Sequence, residues 1–409
     1  MILRRRKEDF QREYPADGIT PQGLIALFRA ADAGDLSSQL ALFEQMEEKD
    51  AHLHSVARTR RLAVTGLAWE ILPAGGETPV RMSSRQQELA GAAAAYCAAA
   101  LREAEGFEEA LSHLALAVGR NLSLVELVWE ATGSGPRLAG LAPVDFGRIV
   151  IGELGEVRLV TEAFDREGMA LPRDKFIVHQ PSAAGGHAAR GGLLRATATA
   201  YIGKRFALKD WLIFAEVFGM PVRIARYGPG ATPEEKRELL EMLKQLGADA
   251  TGVFSKAVEL EVIQSRSPGE TNLYENLCLY LDREMSKAWL GQTLTTDTTR
   301  MLASAGAAKV HDQVRRDIRD DDLRQEARTL RRDLLRPLTR LAFGPAAPVP
   351  HFRRVAEQRF EPERLAGVLD VAVNRLGLRV PSRWVHSALG LPRAAEGEEA
   401  LRQRMANAE

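Results

Sequence analysis

The chain alternates between two hydrophobic periods. From Asp35, which suits an N-cap, apolar residues recur at helical spacing: Leu36, Leu40, Phe43 and Met46, then Leu53, Val56 and Ala57. The residues before it, 1–34, are polar and predict an extended arm. "LAWEILPAGG" breaks the helical period and reads as a strand and turn. An alanine-rich helix is expected over 84–104 and a shorter one over 108–118. The period then shortens. Between 122 and 164, short β-rich runs are separated by "TGSGP" and "ELGE", both hairpin-turn signals. Trp69-Glu70 and Trp129-Glu130 sit in similar strand settings, which raises a pairing between them. "PSAAGGHAARGG" at 181–192 carries four glycines and reads as a loop.

The longest well-patterned helix follows, "LLRATATAYIGKRFALKDWLIFAEVFG". Ala200, Ala207, Leu208, Trp211, Phe214, Ala215 and Phe218 share one broad side. Arg195, Arg205 and Lys209 fall within a sector of about 80° on the other, at ~100° per residue. Gly219 and Pro221 stop the helix. Residues 220–264 then read strand, helix, strand. The middle helix has Thr232 as N-cap, Pro233 at N1 and Glu235 completing a capping box. A second long helix uses Leu273, Leu277, Leu281, Met285 and Trp289 at core spacing. After "GQTLTTDTTR" at 291–300 comes a charge-dense helix over 310–335. Its stretch 311–333 holds seven arginines and seven acidic residues, several at i,i+4. The last part of the chain reads as a small helical tail.

Composition narrows the function classes. Fifty-five basic residues balance fifty-five acidic ones, so affinity from a globally basic surface is excluded, while local basic patches are not. Two cysteines, Cys97 and Cys278, lie in apolar helical patterns and are expected as buried small hydrophobes in a reducing compartment. The basic N-terminus has no apolar run after it, so no signal peptide is read. The longest apolar run, "AGAAAAYCAAAL", is too short to span a membrane.

No catalytic motif emerges. There is no Walker A sequence, no G-x-S-x-G and no H-E-x-x-H. "YGPGATPEEK" lacks the lysine and glycine spacing of a phosphate loop and reads as a capped loop. His52 and His54 alternate and do not share a helix face, so no metal or other cofactor is expected. The acidic run Asp317 to Asp322, with His311, is the one candidate for Mg²⁺, but interleaved arginines make it a solvated face first.

The order of these pieces resembles the portal proteins of Mu-like bacteriophages, the head–tail connectors at the capsid vertex. "DAHLHSVARTRRLAVTGLAWEI", "GKRFALKDWLIFAEVFGMPVRIARY", "YENLCLYLDREMSKAWLGQTLTTD" and "AAKVHDQVRRDIRDDD" carry the resemblance, with a looser match at "VPSRWVHSALGLPRAAEGEEAL". It implies an α+β portal fold. Its parts would be an N-terminal arm (1–34), an α/β wing (35–190), stem helices (191–219 and 271–290) and a β-α-β clip between them (220–270). A tunnel loop with its long helix (291–344) and a helical crown (345–409) would complete it. The implied assembly is a ring, typically of twelve subunits, passing double-stranded DNA without sequence specificity. Its implied partners are the terminase large subunit, capsid proteins and neck or adaptor proteins, with no membrane, and its place is the virion after assembly in the host cytoplasm.

Within that frame the threonine-rich loop acquires a reason. Thr293, Thr295, Thr296, Asp297, Thr298, Thr299 and Arg300 would offer weak, exchangeable hydrogen bonds to passing phosphates rather than tight cationic contacts. Arg195, Arg205 and Lys209 would face the channel from the stem. Helix capping by these threonines is the plainer alternative. Two other readings compete at the level of the whole chain. One is a metal-dependent phage DNA enzyme using 317–322, whose activity alanine at Asp320 and Asp321 would abolish. The other is a monomeric scaffold or adaptor that forms no ring.

Overall fold

The computed structural model describes residues 19–75, 82–133, 135–181, 187–218, 222–227, 230–245, 258–263, 270–293, 305–355 and 362–391. The chain opens with α1 (Pro21–Asp32), α2 (Ser37–Lys49), α3 (Ala51–Thr65) and β1 (Trp69–Leu72). Next come α4 (Ser84–Glu103), α5 (Phe107–Leu114), α6 (Ala117–Arg120) and β2 to β7. The strands are Ser123–Thr132, Gly135–Pro143, Ile149–Ile151, Val157–Thr161, Phe164–Ala170 and Phe176–His179. Helix α7 (Leu193–Phe218) leads to β8 (Val222–Tyr227), α8 (Pro233–Gln245), β9 (Val258–Ile263) and α9 (Glu270–Leu290). Helix α10 (Ala305–Leu330) runs through a π-turn, Arg331–Leu335, into α11 (Arg336–Phe343). Strand β10 (His351–Arg354), α12 (Pro362–Asp370) and α13 (Ser382–Leu389) complete the described elements.

The expected extended arm is corrected at 21–32. Those residues form a helix capped by Thr20, whose Oγ1 accepts from the Gly23 amide at 3.1 Å, with Pro21 in the first turn. Leu24, Leu27 and Ala31 bury themselves in the core with Phe28 packed against it, so the mostly apolar run 23–31 has the face a docked helix needs. Residues 1–18 lie outside the described residues. The single helical pattern expected after Asp35 is two helices. Asp50 breaks it, and its carboxylate accepts from the Leu53 amide at 2.9 Å to start α3.

Strand β2 is the partition wall of the body. It pairs antiparallel with β3 and β7, in the order β3-β2-β7, and the "TGSGP" hairpin joins β2 to β3 as read from the sequence. Leu124 enters one core, with α1, α2, α3, Trp289 and Tyr201. Val125 and Leu127 enter a second, with Cys97, α5, Leu330, Leu334 and Leu338. A strand buried on both faces explains the near-continuous apolar run "LVELV". Its one acidic residue, Glu126, is paired with the Lys175 ammonium at 3.0 Å. The "ELGE" hairpin joins β4 to β5 in the sheet β4-β5-β6.

Trp69-Glu70 does not pair with Trp129-Glu130. Strand β1 pairs with β10, and Glu70 accepts from Arg353 Nε at 2.7 Å. Trp69 instead packs edge-on to Phe107 and stacked on Phe352. The first compact unit therefore extends to Arg353, past the expected start of the tail at 345. Both cysteines are buried as expected. The second unit begins at Arg354 and holds α12 and α13, with Val368, Leu376, Leu378 and Trp384 exposed.

The insertion at the tip of the helical hairpin has the expected order. Strands β8 and β9 pair antiparallel from Val222↔Ile263 to Tyr227↔Val258 with α8 between them in sequence. The capping box of α8 is present: Thr232 Oγ1 accepts from the Glu235 amide at 3.3 Å and Glu235 Oε2 accepts from the Thr232 amide at 2.8 Å.

Candidate functional site

Helices α7 and α9 pair antiparallel. Leu281 lies beside Gly203, and the rings of Phe214 and Tyr274 sit 6.0 Å apart toward the far end. The hairpin changes character along its length. At its base, Leu194, Ala198, Tyr201 and Ile202 of α7 and Met285, Trp289 and Leu290 of α9 are buried in the body. Further out, Phe206, Leu208, Leu212 and Ile213 are exposed, as are Leu273, Leu277, Leu279 and Tyr280. Leu273 and Leu277 were expected at core positions; they are 64% and 43% exposed, because nothing else in the described chain covers that stretch.

The positions of the exposed residues around α7 are ordered. Ala207 and Phe214 mark the side facing α9. At ~100° per residue, Phe206 and Ile213 form one flank, Leu208 the other with Leu212 at its outer margin beside Arg205, and Arg205 and Lys209 point away from α9. The outer half of α7 is thus a wedge with an inner seam, two apolar flanks and a basic outer edge.

Charged groups fasten the base of the hairpin to the body. Lys204 Nζ donates to Asp282 Oδ1 at 2.6 Å and to Asp50 Oδ1 at 3.1 Å, joining α7, α9 and the start of α3. Burial opposes the lysine's charge, but the two carboxylates outweigh it and raise its pKa. His52 Nε2 lies 2.8 Å from Ser286 Oγ, adding a second link from α3 to α9. Beside them, Glu47 is held between Arg61 and Arg120. Burial alone would raise this carboxyl, and the two guanidiniums instead lower it.

Arg195 is engaged within the chain. Its guanidinium donates to both oxygens of Asp32, at 2.7 and 3.0 Å, and to Ala189 O at 3.1 Å, and it lies over the Phe28 ring. Asp32 also accepts from Arg190. Desolvation favours the neutral acid, yet these two arginines hold Asp32 down at about 2. Arg195 thus ties α1 to the start of α7, leaving Arg205 and Lys209 of the predicted stem charges exposed.

Of the predicted loop residues, Thr293 is half-buried just beyond α9. Thr295, Thr296, Asp297, Thr298, Thr299 and Arg300 lie outside the described residues. The acidic run was expected as a solvated face, and its last member corrects that. Asp322 is buried and takes a bidentate bond from Arg60 of α3, at 2.9 Å on each oxygen. Its neighbours do face solvent: Asp320 pairs with Arg319, and Asp321 with Arg324 and Gln325. Asp317 accepts from Gln313. Carboxylates engaged this way do not converge on one point, and among the described residues no cluster of metal-ligating side chains forms. Among them too, no helix is long and apolar enough to cross a membrane.

A profile described as the portal protein of Mu bacteriophage matches residues 40–391. The chain belongs to the Mu bacteriophage portal protein family. It is 30% identical to the "Portal protein" of Escherichia phage Mu over 405 residues, which cover 98% of this chain and 75% of that relative. It is equally 30% identical to the Mu-like prophage FluMu protein gp29 of Haemophilus influenzae, over 97% of this chain and 75% of the relative. Its fold is similar to chains from gene transfer agent (GTA) particles. A chain from the neck of an empty particle, computed with C6 symmetry, aligns at TM-score 0.55 and 15% identity, covering 91% of this chain and 94% of the other. A chain from the native neck, computed with C12 symmetry, aligns at 0.53 and 13% identity over 92% and 95%. This portal chain accordingly has a phage portal function in a structural rather than enzymatic family.

Sequence reasoning missed Asp50, Arg60, Lys204, Asp282 and Asp322 as the fastenings of the α7–α9 hairpin and α10 to the body. A signal was present. These five residues all lie within the four stretches that carried the family resemblance, and they bond those stretches to one another.

Proposed function

We propose that this portal chain assembles into a closed ring at the capsid vertex whose lumen passes double-stranded DNA, without catalysis of its own. The observation that carries the reading is the two-flanked outer stem. A subunit in a head-to-tail ring meets two neighbours through two different surfaces, and the repeated rotation must close. Phe206 with Ile213 and Leu208 with Leu212 supply an apolar surface on each side of α7. Each flank meets the next copy, so the stems form a continuous wall. The C6 and C12 symmetry of the similar neck structures supports a ring, with twelve subunits as the expected count.

In that wall, Arg205 and Lys209 form the inward edge of α7. Repeated around a ring, two cations per subunit become two bands of positive charge that attract the phosphate backbone and carry no base information. The whole chain, these two cations included, is neutral overall, which limits tight holding. The threonine-rich segment after α9 serves as a low-friction contact. The β8-α8-β9 insertion, at the free tip of the hairpin, suits docking of the terminase large subunit during packaging and of neck proteins afterwards. Assembly takes place in the host cytoplasm and the ring ends in the virion.

The test is electron microscopy of the purified full chain, with native mass on the same sample. Closed rings with a hole that admits duplex DNA are expected. In addition, rings lacking 294–299 are expected to assemble but package DNA poorly. A species that stays monomeric in the presence of capsid and scaffold proteins overturns the ring, and normal packaging by the shortened loop overturns the tunnel assignment.

A further inference from the structure

The π-turn and the buried face of α10 point to a device that the ring reading does not require. Asp322, Glu326, Thr329 and Asp333 fall within about 60° of one another around the helix, at ~100° per residue. All four are largely buried, on a helix whose other faces are crowded with exposed charge. Bonds run from this face to the body. Asp322 takes Arg60, Thr329 Oγ1 lies 2.9 Å from His179 Nδ1, and Asp333 Oδ2 accepts from the Val178 amide at 3.0 Å. Arg332, next to Asp333, donates to Val178 O at 2.7 Å. The pair therefore satisfies both backbone groups on the open edge of β7, as another strand would. The π-turn at Arg331–Leu335 inserts an extra residue into the helix, letting two adjacent side chains reach that edge.

Arg60 does more than hold α10. Its Nη1 donates to Trp289 O at 3.0 Å, one of the carbonyls left unpaired where α9 ends. A cation at that end also meets the negative pole of the helix. One guanidinium thus binds the last turn of α9 and the middle of α10, the two helices on either side of the threonine-rich segment. The helices touch directly at the same level. Gly291 closes α9 with φ +69°, and a Cβ there would come within 2.8 Å of Val314 and 2.9 Å of Ile318. Glycine is required both for the backbone sign and for the close approach.

We infer that Arg60 is a positioning residue that locks α9 and α10 in one register, so that the wing, through α3, sets where the two flanks of the segment 294–304 stand. This rests on the reading of that segment as channel-facing, but the lock itself is measurable without DNA. A lysine cannot replace it, since one ammonium does not span a bidentate carboxylate and a backbone carbonyl in the same plane.

The experiment is hydrogen–deuterium exchange on the full-length assembled protein, comparing wild type with Arg60→Gln, Arg60→Lys and Asp322→Asn. Arg60→Gln is expected to speed exchange about ten-fold in peptides from both the end of α9 and residues 312–326, with β2 and β3 unchanged, since local opening is separable from global unfolding. Asp322→Asn should speed the α10 peptides more than the α9 peptide, because the Trp289 carbonyl keeps its donor. Arg60→Lys should recover less than half of the protection. Unchanged exchange at both helices overturns the inference, and so does a uniform rise that includes β2 and β3. If Arg60→Gln aggregates, the milder Asp322→Asn still decides through the difference between its two peptides. Normal packaging by an Arg60→Gln ring whose exchange is altered counts against the channel role of the segment and leaves the lock in place.

Discussion

The base and the outer half of the α7–α9 hairpin have the same kind of sequence and opposite fates. Both show apolar residues at helical spacing, interrupted by single charges. At the base, Tyr201, Met285 and Trp289 are fully buried, each worth about 1.5–3 kcal/mol of transfer free energy, and the charges find partners from α3. In the outer half, Leu212 is 71% exposed and Leu273 64%. Periodicity identifies which face of a helix wants cover; it does not say whether the cover is in the same chain. A contiguous apolar patch left open on one chain is the signature of an interface.

The largest expected effect breaks the base. Lys204→Ala would leave buried Asp50 and half-buried Asp282 facing each other without a counter-charge. The expected loss of stability is about 3–5 kcal/mol in denaturant unfolding, as for other buried pairs with one partner removed. A loss under about 1 kcal/mol, the size typical of an exposed ion pair, would mean that the base is not held by its charges.

Acid should separate the two halves next. His113 and His179 lie in the body, and burial pushes both down to about 4, helped by Arg120 and Arg332 respectively. A histidine whose folded pKa is lowered stays neutral in the native state while the unfolded chain takes up a proton near pH 6.5. Stability is therefore full above about pH 6.5 and falls as pH drops toward 4, on the order of 2–3 kcal/mol for each. Neither α7 nor α9 contains a histidine, so the hairpin contributes no histidine to that slope. Melting temperature measured from pH 7.5 to 4.5 should fall, and His179→Gln should flatten part of that slope. A slope unchanged by His179→Gln refutes the assignment.

Much of this was legible in the sequence, and the failures have physical causes. The hairpin turns, the capping box at Thr232 and the helical hairpin with its β-α-β tip all follow from local chemistry, and local chemistry is what single-sequence reading senses. Helix α1 was missed because the charged residues of 1–17 were allowed to set the reading of the whole segment, although 23–31, GLIALFRAA, is itself apolar. The partner of Trp69 was misjudged because β10 lies about 280 residues away, and loop closure over such lengths leaves no local trace. Asp322 was read as solvated because it sits among paired acids and arginines. Only the third dimension separates it from Asp320 and Asp321, by bringing Arg60 to one face. The partner of Arg195 was unread for the same reason, with Asp32 arriving from 163 residues away.

The smallest effect on the chain is the sharpest on the comparison. Leu212→Ala removes an exposed side chain from the outer stem, where substitution costs an isolated subunit within about 0.5 kcal/mol. Met285→Ala, on α9 at the base, removes a similar volume from a closed core and should cost about 2–5 kcal/mol. If the flanks of the outer stem are buried between neighbours, Leu212→Ala acts through assembly instead. A buried leucine truncated at each seam weakens every contact around the ring, and because closure requires all of them, the loss multiplies with the number of subunits. Native mass over a dilution series should then show the Leu212→Ala ring dissociating at higher concentration than wild type, while unfolding of dissociated subunits is unchanged. Equal dissociation of variant and wild type would place Leu212 outside the seam, and the apolar flanks would then need a different cover.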